Sequence, residues 1–298
     1  MSNFIPPRIM GIINCTPDSF FSGSRAESTE YAFKTSLNMI RDGADILDIG
    51  GESTRPGSRP VEPEEQIRRV VPVIKEIRNY SRSIEISVDT TSAAVAEAAV
   101  NAGADIINDI SALRHDPQMK RFAAESKVKI VLMHMKGTPE TMQKNPFYQN
   151  AVEEIKNELE KFAENAVSSG ISEEKIILDP GIGFGKRFED NIAILKNLEQ
   201  FRISSFPLLV GLSRKSFTGT IIEREDKKNL DVFNKHIGRT EEISAMTESF
   251  YNGEYNPEKR LYATLSAHIW SAVHGADILR VHDVPQTRGA LAVWEALS

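Results

Sequence analysis

The chain has 298 residues, of which 40% are hydrophobic and 26% are charged, and its formal net charge is −6. This ordinary globular composition offers no general basic surface, which argues against nucleic acid or an anionic membrane as a partner. No apolar run approaches the roughly 20 residues of a membrane span, and the start, "MSNFIPPRIMG", lacks the basic and apolar regions of a secretory signal. The single cysteine, Cys15, forms no internal disulfide and suits a reducing compartment, so we expect a cytoplasmic protein.

Short apolar runs alternate with amphipathic segments along most of the chain. The runs are too short for helices and are rich in Ile, Val and Leu, as expected of buried parallel strands. Between them, segments such as 64–80 and 150–170 carry apolar residues at helical spacing, and a last helix is expected near 285–297. We predict eight strands, at 8–13, 45–50, 84–89, 105–110, 129–134, 175–179, 207–213 and 277–282.

Eight repeats of strand and helix predict an α/β fold, a (β/α)8 TIM barrel, as a single domain over residues 1–298. A doubly wound open sheet gives a similar pattern, but the count of eight favours the barrel. The regular spacing fails between the seventh and eighth strands, where the sequence is charged and poorly periodic. We predict a surface insertion at about 219–257 that is mobile or partly helical.

Most of the predicted strands end in a polar residue. Any one such residue could be a turn former or a helix cap. In a barrel, however, all carboxyl ends meet at the face where barrel enzymes place their chemistry. The pattern therefore predicts a polar pocket at this face, formed by Asn14, Asp48, Asp89, Asn108, His134, Asp179, Ser213, Arg280 and His282.

The segment "IILDPGIGFGK" at 176–186 raises the question of a phosphate-binding loop. Its glycines lack the spacing of a Walker motif, and the third comes one residue too early for G-x-G-x-x-G. What remains is a loop in which glycines allow sharp turns and close approach of the backbone to a ligand. We interpret Asp179 as the functional residue, pointing into the barrel mouth, and the glycines as its setting.

Metal and nucleophile sites receive less support from the sequence. The six histidines are scattered, without an H-E-x-x-H motif, so a zinc site is not expected. Ser213 in "VGLSRKS" resembles a nucleophile elbow only superficially, since Lys215 stands where a glycine is needed. Lys215 could form a Schiff base, although its place beside Arg214 at a helix start suits the binding of anions or polar rings.

Eight motifs in order, each at a strand end, resemble dihydropteroate synthase across nearly the whole chain. They are "MGIINCTPDSF" (10–20), "DIGGESTRPGS" (48–58), "ISVDT" (86–90), "INDI" (107–110), "MHMKGTP" (133–139), "ILDPGIGFGK" (177–186), "PLLVGLSRKS" (207–216) and "RVHDV" (280–284).

The resemblance implies a TIM barrel, usually a homodimer, that acts in folate synthesis. Such an enzyme joins 7,8-dihydropterin-6-ylmethyl diphosphate to 4-aminobenzoate and releases diphosphate, assisted by Mg2+. It implies catalytic roles for Lys215, Arg55 and Asp179. It further implies that the pterin is held by Asp89, Asn108, Asp179, Lys215, Met133 and Gly211.

By the same resemblance, Asn14, Arg280 and His282 would bind the diphosphate, and Asn14 would help to hold Mg2+. The first two loops, at 15–26 and 51–60, would be mobile covers that become ordered over the substrate. The aminobenzoate would be bound by Thr54, Arg55, Pro56, Phe20, Phe184 and Ser213.

Alternatives remain open at this stage. A pterin-binding domain of a methyltetrahydrofolate–corrinoid methyltransferase shares the barrel, but it has no need for "STRPG" or "SRKS". A non-catalytic pterin-binding paralogue gains support only from Ser22, which replaces an aspartate common in the first loop of the family; Asp18 could compensate. A Schiff-base aldolase is a further alternative.

Overall fold

The structure is a computed structural model that describes residues 4–16, 25–54, 57–237 and 260–298. The predicted (β/α)8 barrel is confirmed: eight parallel strands form one sheet, in the order β6-β5-β4-β3-β2-β1-β8-β7. The strands are β1 (Arg8–Asn14), β2 (Ile46–Gly50), β3 (Glu85–Asp89), β4 (Ile106–Asp109), β5 (Lys129–Met133), β6 (Ile176–Asp179), β7 (Leu209–Gly211) and β8 (Ile278–Val281).

The barrel closes between β6 and β7. A parallel bridge joins Leu178 to Leu208, and the Leu178 N–H donates to the Pro207 carbonyl at 2.9 Å. Closure leaves no exposed sheet edge here, and it brings all eight carboxyl ends to one face.

Helices follow the strands and cover the outside of the barrel. Short 3₁₀ turns at Glu173–Lys175 and Leu198–Phe201 lead into β6 and β7. No helix among the described residues is long and apolar enough to cross a membrane. The helices are α1 (Arg25–Arg41), α2 (Pro63–Tyr80), α3 (Ala93–Ala102), α4 (Pro117–Ser126), α5 (Ala151–Ser168), α6 (Phe188–Lys196), α7 (Ser216–Ile237), α8 (Leu261–Val273) and α9 (Val284–Leu297).

The amphipathic patterns explain this covering. The stripe predicted in 64–80 faces the strands, since Val70, Ile74 and Ile77 of α2 are completely buried. Removing each such side chain from water stabilises the fold by about 1.5–3 kcal/mol. Pro72 lies inside α2, which nevertheless runs from Pro63 to Tyr80.

The predicted insertion begins as a helix. α7 continues without a break from Ser216 to Ile237, so residues 219–237 extend the helix after the seventh strand. Residues 238–259 lie outside the described part of the chain. The predicted domain has an insertion at about 219–257. Over residues 238–257 this insertion stays a prediction.

Candidate functional site

The candidate site is the last layer of side chains inside the barrel. Side chains alternate between the two faces of a strand, so residues two apart share a face. A buried apolar layer fills the interior just below, formed by Met10, Ile46, Ile106, Val131, Ile177, Leu209 and Ile278. Two residues further along β2, β4, β5, β6 and β8, and at the end of β3, the positions on this face are Asp48, Asn108, Met133, Asp179, Arg280 and Asp89.

The register of the strands places these positions side by side across the sheet. Asp89 pairs with Asn108, Met133 with Asp179, and Gly211 with Arg280. Polar ends that are distant in sequence therefore become neighbours, as the strand-end pattern predicted.

Arg280 joins two buried carboxylates. Its Nε donates to Oδ2 of Asp48 at 2.6 Å, and its Nη2 donates to Oδ2 of Asp89 at 2.7 Å. Nδ2 of Asn108 donates to the same Asp48 oxygen at 3.1 Å. Asp48 is fully buried, and its Oδ1 has no hydrogen-bond partner within the described residues. An unpaired buried oxygen costs free energy unless a ligand or water meets it.

Burial controls the charges of this layer. It raises the pKa of Asp89; the Arg280 guanidinium opposes that rise and the Asp48 charge adds to it. It also raises the pKa of Asp179, to about 6, although a hydrogen bond from the Gly181 N–H opposes the change. Perturbed carboxylates that share a polar pocket are typical of functional sites.

The glycine-rich loop after β6 is the setting of Asp179, as predicted. Oδ1 of Asp179 accepts the Gly181 N–H at 2.7 Å, and Gly181 has a φ of +64°. A Cβ on Gly181 would stand 2.0 Å from the His134 carbonyl oxygen, and one on Gly185 would stand 2.3 Å from the Lys136 carbonyl oxygen. Only glycine allows this approach of the two backbones.

Lys215 reaches the site from the start of α7. Its Nζ lies 4.0 Å from the centroid of the Phe184 ring, a cation–π contact. Burial lowers the pKa of Lys215 to about 8; Arg280 lowers it further, whereas Asp179 raises it. The loop after β6 and the start of α7 therefore place an ammonium and an aromatic ring together beside Asp179.

Ser213 and His282 form a second polar pair. Oγ of Ser213 accepts the backbone N–H of His282 at 3.1 Å and lies 3.0 Å from Nδ1 of its ring. Because the hydroxyl can donate to Nδ1 while it accepts the backbone N–H, it can fix the orientation of the imidazole.

Other predicted site residues lie elsewhere or outside the described chain. Asn14 ends β1 in register with Gly50, and it is half-buried, as is Thr54. His134 does not join the polar pocket: it follows β5 directly, is almost fully buried and stacks on Phe162 of α5. Residues predicted for the covering loops that lie outside the described residues are Asp18, Phe20, Ser22, Arg55 and Pro56.

The sequence left two contributors without a role. Asp48 was predicted at the pocket as a strand-end aspartate. Its hydrogen bond with Arg280 was not predicted, because the two residues are 232 positions apart in the chain. Lys186 is only 3% exposed, and its Nζ contacts four acceptors. Its adjacency to the third glycine of "GIGFGK" was the available signal, although an exposed lysine is the usual expectation.

Together, the barrel and its polar end layer define an enzyme of the TIM-barrel class with a pocket at the carboxyl ends of the strands. The sequence model of the family described as "Pterin binding enzyme" matches residues 10–282. Dihydropteroate synthase from Neisseria meningitidis is 39% identical over 98% of this chain and 93% of its own length. The enzyme from Bacillus subtilis is also 39% identical, over 97% of this chain and 88% of its own length.

Solved structures agree. Dihydropteroate synthase from Xanthomonas albilineans with 4-aminobenzoic acid has a TM-score of 0.82 and 38% identity, covering 98% of this chain and 93% of that one. The same enzyme with 7,8-dihydropteroate gives 0.79 and 36%, covering 98% and 94%. The chain belongs to the pterin binding enzyme family and, within it, to the dihydropteroate synthases.

Proposed function

We propose that the chain condenses 7,8-dihydropterin-6-ylmethyl diphosphate with 4-aminobenzoate to give 7,8-dihydropteroate and diphosphate. The observation that carries this proposal is the layer of buried polar groups above an apolar floor inside the barrel. A flat pterin has apolar faces and an edge of N–H donors and ring acceptors, and such a layer is complementary to both.

The pterin would be recognised by Asp89, Asn108 and Asp179. The two carboxylates would accept N–H groups of the ring, and the amide of Asn108 can both donate and accept. A pterin analogue that lacks these N–H groups would leave a buried carboxylate unpaired, which discriminates strongly. The remaining members of the proposed pterin site are Lys215, Met133, which is 3% exposed, and Gly211.

Arg280 and His282 would hold the diphosphate. Negative charge accumulates on the leaving group as the carbon–oxygen bond breaks, and a buried guanidinium stabilises it more strongly than one in water. Arg280 pairs with Asp89, so substrate binding would redistribute its donors between that carboxylate and the phosphate oxygens.

Asn14 is the residue that would contact Mg2+. Among the described residues, no group of three or more His, Cys, Asp or Glu side chains could hold a metal ion. A single amide oxygen at the barrel mouth fits Mg2+ that keeps waters and phosphate oxygens as its other ligands. Bound there, the ion would screen the charge of the diphosphate.

The aminobenzoate carboxylate would lie at the start of α7. Ser213 and the first N–H groups of this helix offer donors at the positive end of the helix dipole. Phe184 would pack on the aromatic ring. The proposal extends to Thr54, Phe20, Arg55 and Pro56 in the covering loops.

The reaction needs no strong general base. When the pterin methyl carbon–oxygen bond breaks, its electron pair leaves with the diphosphate, and the pterin ring stabilises the cation that remains. The arylamine nitrogen then forms the new carbon–nitrogen bond and gives up one proton, which the departing diphosphate or solvent water can accept. Lys215 and Asp179, together with Arg55, would orient the reactants, and orientation alone lowers such barriers substantially.

The direct test is to mix the protein with both substrates and Mg2+ and to follow dihydropteroate and diphosphate together. We expect both products in equal amounts, and Lys215→Ala should lower the rate by roughly 100-fold or more because it removes a charge from the pocket. The exposed Lys161 on α5 provides the control variant Lys161→Ala, which should retain the rate. Tight pterin binding without product would contradict the proposal and favour a non-catalytic paralogue.

Two expectations complete the proposal. The single cysteine, Cys15, is consistent with a cytoplasmic location. Exposed apolar side chains on α7 and α8 support a homodimer, among them Tyr262, which is 78% exposed, and Trp270, which is 45% exposed.

A further inference from the structure

Lys186 is a buried lysine that the proposed reaction leaves unused. Its Nζ donates to the carbonyl oxygens of Gly181 at 2.8 Å, Phe184 at 3.0 Å and His134 at 3.1 Å. A fourth contact, at 3.0 Å, is Nδ1 of His134. Burial lowers the pKa of Lys186 to about 7, so below that pH the side chain is an ammonium. An ammonium has three N–H donors, and these four acceptors leave none for a substrate.

The three carbonyls that accept from Lys186 belong to two neighbouring segments, the loop after β6 and the residue after β5. Gly181 and Phe184 bracket the first turn of the glycine-rich loop, which the Phe184 N–H closes on the Gly181 carbonyl at 3.0 Å. His134 follows β5 directly. One ammonium therefore ties the loop after β6 to the end of the neighbouring strand.

Gly181 and Phe184, whose carbonyls accept from Lys186, each contact a side chain that we propose binds substrate. Gly181 donates its N–H to Oδ1 of Asp179 at 2.7 Å. The Phe184 ring lies 4.0 Å from Nζ of Lys215. A displacement of the turn would thus move the pterin carboxylate and the aromatic wall together.

The remainder of the loop has its own anchors. The Tyr148 hydroxyl donates to the Gly185 carbonyl at 2.9 Å, and Oδ1 of Asn191 accepts the Gly183 N–H at 2.7 Å. Loss of the Lys186 ammonium should therefore release Gly181 and Phe184 without releasing the whole loop.

His134 orients the lysine from the other side. Burial lowers the pKa of His134 to about 4, so the ring is neutral near pH 7 and Nδ1 can accept from Lys186. Its Nε2 lies 3.3 Å from Oε2 of Glu158 on α5, and its ring stacks on Phe162. The lysine is thus backed by a ring that α5 fixes in place.

We propose that Lys186 is a positioning residue: its ammonium holds the Gly181–Phe184 turn so that Asp179 and Phe184 keep the geometry that binds the pterin and the arylamine. The inference deepens the proposed function and rests on it for the identity of the ligands. It does not require turnover, because pterin binding can be measured without the second substrate.

The test compares Lys186→Met with Lys161→Met. Methionine keeps the length of the stem and removes the ammonium. Lys161 is an exposed lysine on α5. We expect Lys186→Met to weaken pterin binding and to lower kcat, each by roughly 10- to 100-fold, and Lys161→Met to change both less than about twofold.

Inorganic diphosphate separates positioning from general damage. It would bind at Arg280 and His282, which Lys186 does not contact, so its affinity for Lys186→Met should equal that of the unaltered protein. Equal losses of diphosphate and pterin affinity would overturn the inference in favour of a purely structural role. Unchanged pterin affinity in a folded Lys186→Met protein would overturn it too.

Hydrogen exchange keeps the inference testable if Lys186→Met does not fold. In the unaltered protein without added ligand, the amides of Gly181 and Phe184 should exchange slowly, because the turn is already held. Exchange at the rate of an unstructured peptide would contradict the inference. If the unaltered protein binds pterin yet forms no product, the proposed function is contradicted. The comparison of pterin affinities between the variants remains valid in that case.

Discussion

Arg280 shows how one side chain can serve two purposes in a site. Its guanidinium bridges Asp48 and Asp89 at 2.6 and 2.7 Å. Two buried carboxylates next to one another would otherwise repel and cost several kcal/mol. Arg280 is therefore already held at the position where we place the diphosphate, and substrate binding would redistribute its donors without moving it there.

The titration of Asp179 and Lys215 should determine how activity depends on pH. Burial raises the pKa of Asp179 to about 6 and lowers that of Lys215 to about 8. The carboxylate is thus charged above about 6 and the ammonium is charged below about 8. We expect kcat/KM for the pterin substrate to fall on both sides of this window, giving a bell-shaped profile.

Asp179→Asn assigns the acid limb of that profile. The substituted amide would not titrate, so the part of the acid limb that belongs to Asp179 should disappear, although the total rate will be lower. The acid limb that remains should belong to Asp89, whose pKa burial raises to about 7. A flat profile for the unaltered protein across the window would contradict these assignments.

The residues that the sequence could indicate are those at strand ends. Asp89, Asn108 and Asp179 follow apolar runs, and the closed sheet brings their positions to one face. The pairing of Arg280 with Asp48 was beyond the sequence, because it depends on barrel geometry that joins β8 to β2. Lys186 was missed for a similar reason, because its carbonyl partners lie on two segments, the loop after β6 and the residue after β5.

At the scale of elements, the loop after β6 is held by close backbone contacts. Gly181 is in the left-handed region, and any Cβ would collide with the His134 carbonyl oxygen at 2.0 Å. The backbone of β5 cannot move aside without breaking its ladder with β6. A side chain at this position would therefore displace the loop.

Gly181→Ala is the second prediction. It should lower the free energy of unfolding by about 2 kcal/mol or more, because the left-handed conformation alone costs about 1–2 kcal/mol, and it should weaken pterin binding through the displaced Asp179. Urea unfolding measures the stability change, and titration with a pterin measures the affinity. Gly181→Ala with unchanged stability would contradict the packing described for this loop.

Gly289→Ala is the matched control. Gly289 lies in α9, and a Cβ there would meet nothing within 4 Å. Alanine is the better helix former, so this variant should raise the free energy of unfolding by up to about 1 kcal/mol.

Sequence patterns located the strands well. Predicted and observed strands agree within about two residues at most ends, because apolar runs must be buried on both faces of a parallel sheet. The stretch 219–237, predicted as part of an insertion that is mobile or partly helical, continues α7 as a helix. Charged residues such as Glu, Arg and Lys are good helix formers even where no apolar stripe is evident.

At the scale of the molecule, an apolar surface is left uncovered by the part of the chain that the structure describes. It comprises exposed side chains on α7 and α8, among them Ile221, Tyr262, Trp270 and Val273. Single exposed apolar residues are normal, but several on two helices that contact each other are a candidate interface.

The third prediction concerns this surface. We expect the protein in solution to have twice the mass of the chain, measured by light scattering after gel filtration, and Tyr262→Asp to shift it towards the single-chain mass. Tyr31→Asp is the control, since Tyr31 is also exposed, at 47%, but lies on α1. A single-chain mass for the unaltered protein at micromolar concentration would contradict the homodimer.

The most direct test of the whole account is a crystal structure with the pterin diphosphate and Mg2+ bound. It should show the ring edge within hydrogen-bond distance of Asp89, Asn108 and Asp179, with the diphosphate on Arg280 and His282. The Gly181–Phe184 turn should keep the position it has here. A pterin bound outside the barrel mouth, or oriented with its edge away from these three residues, would contradict the central claim.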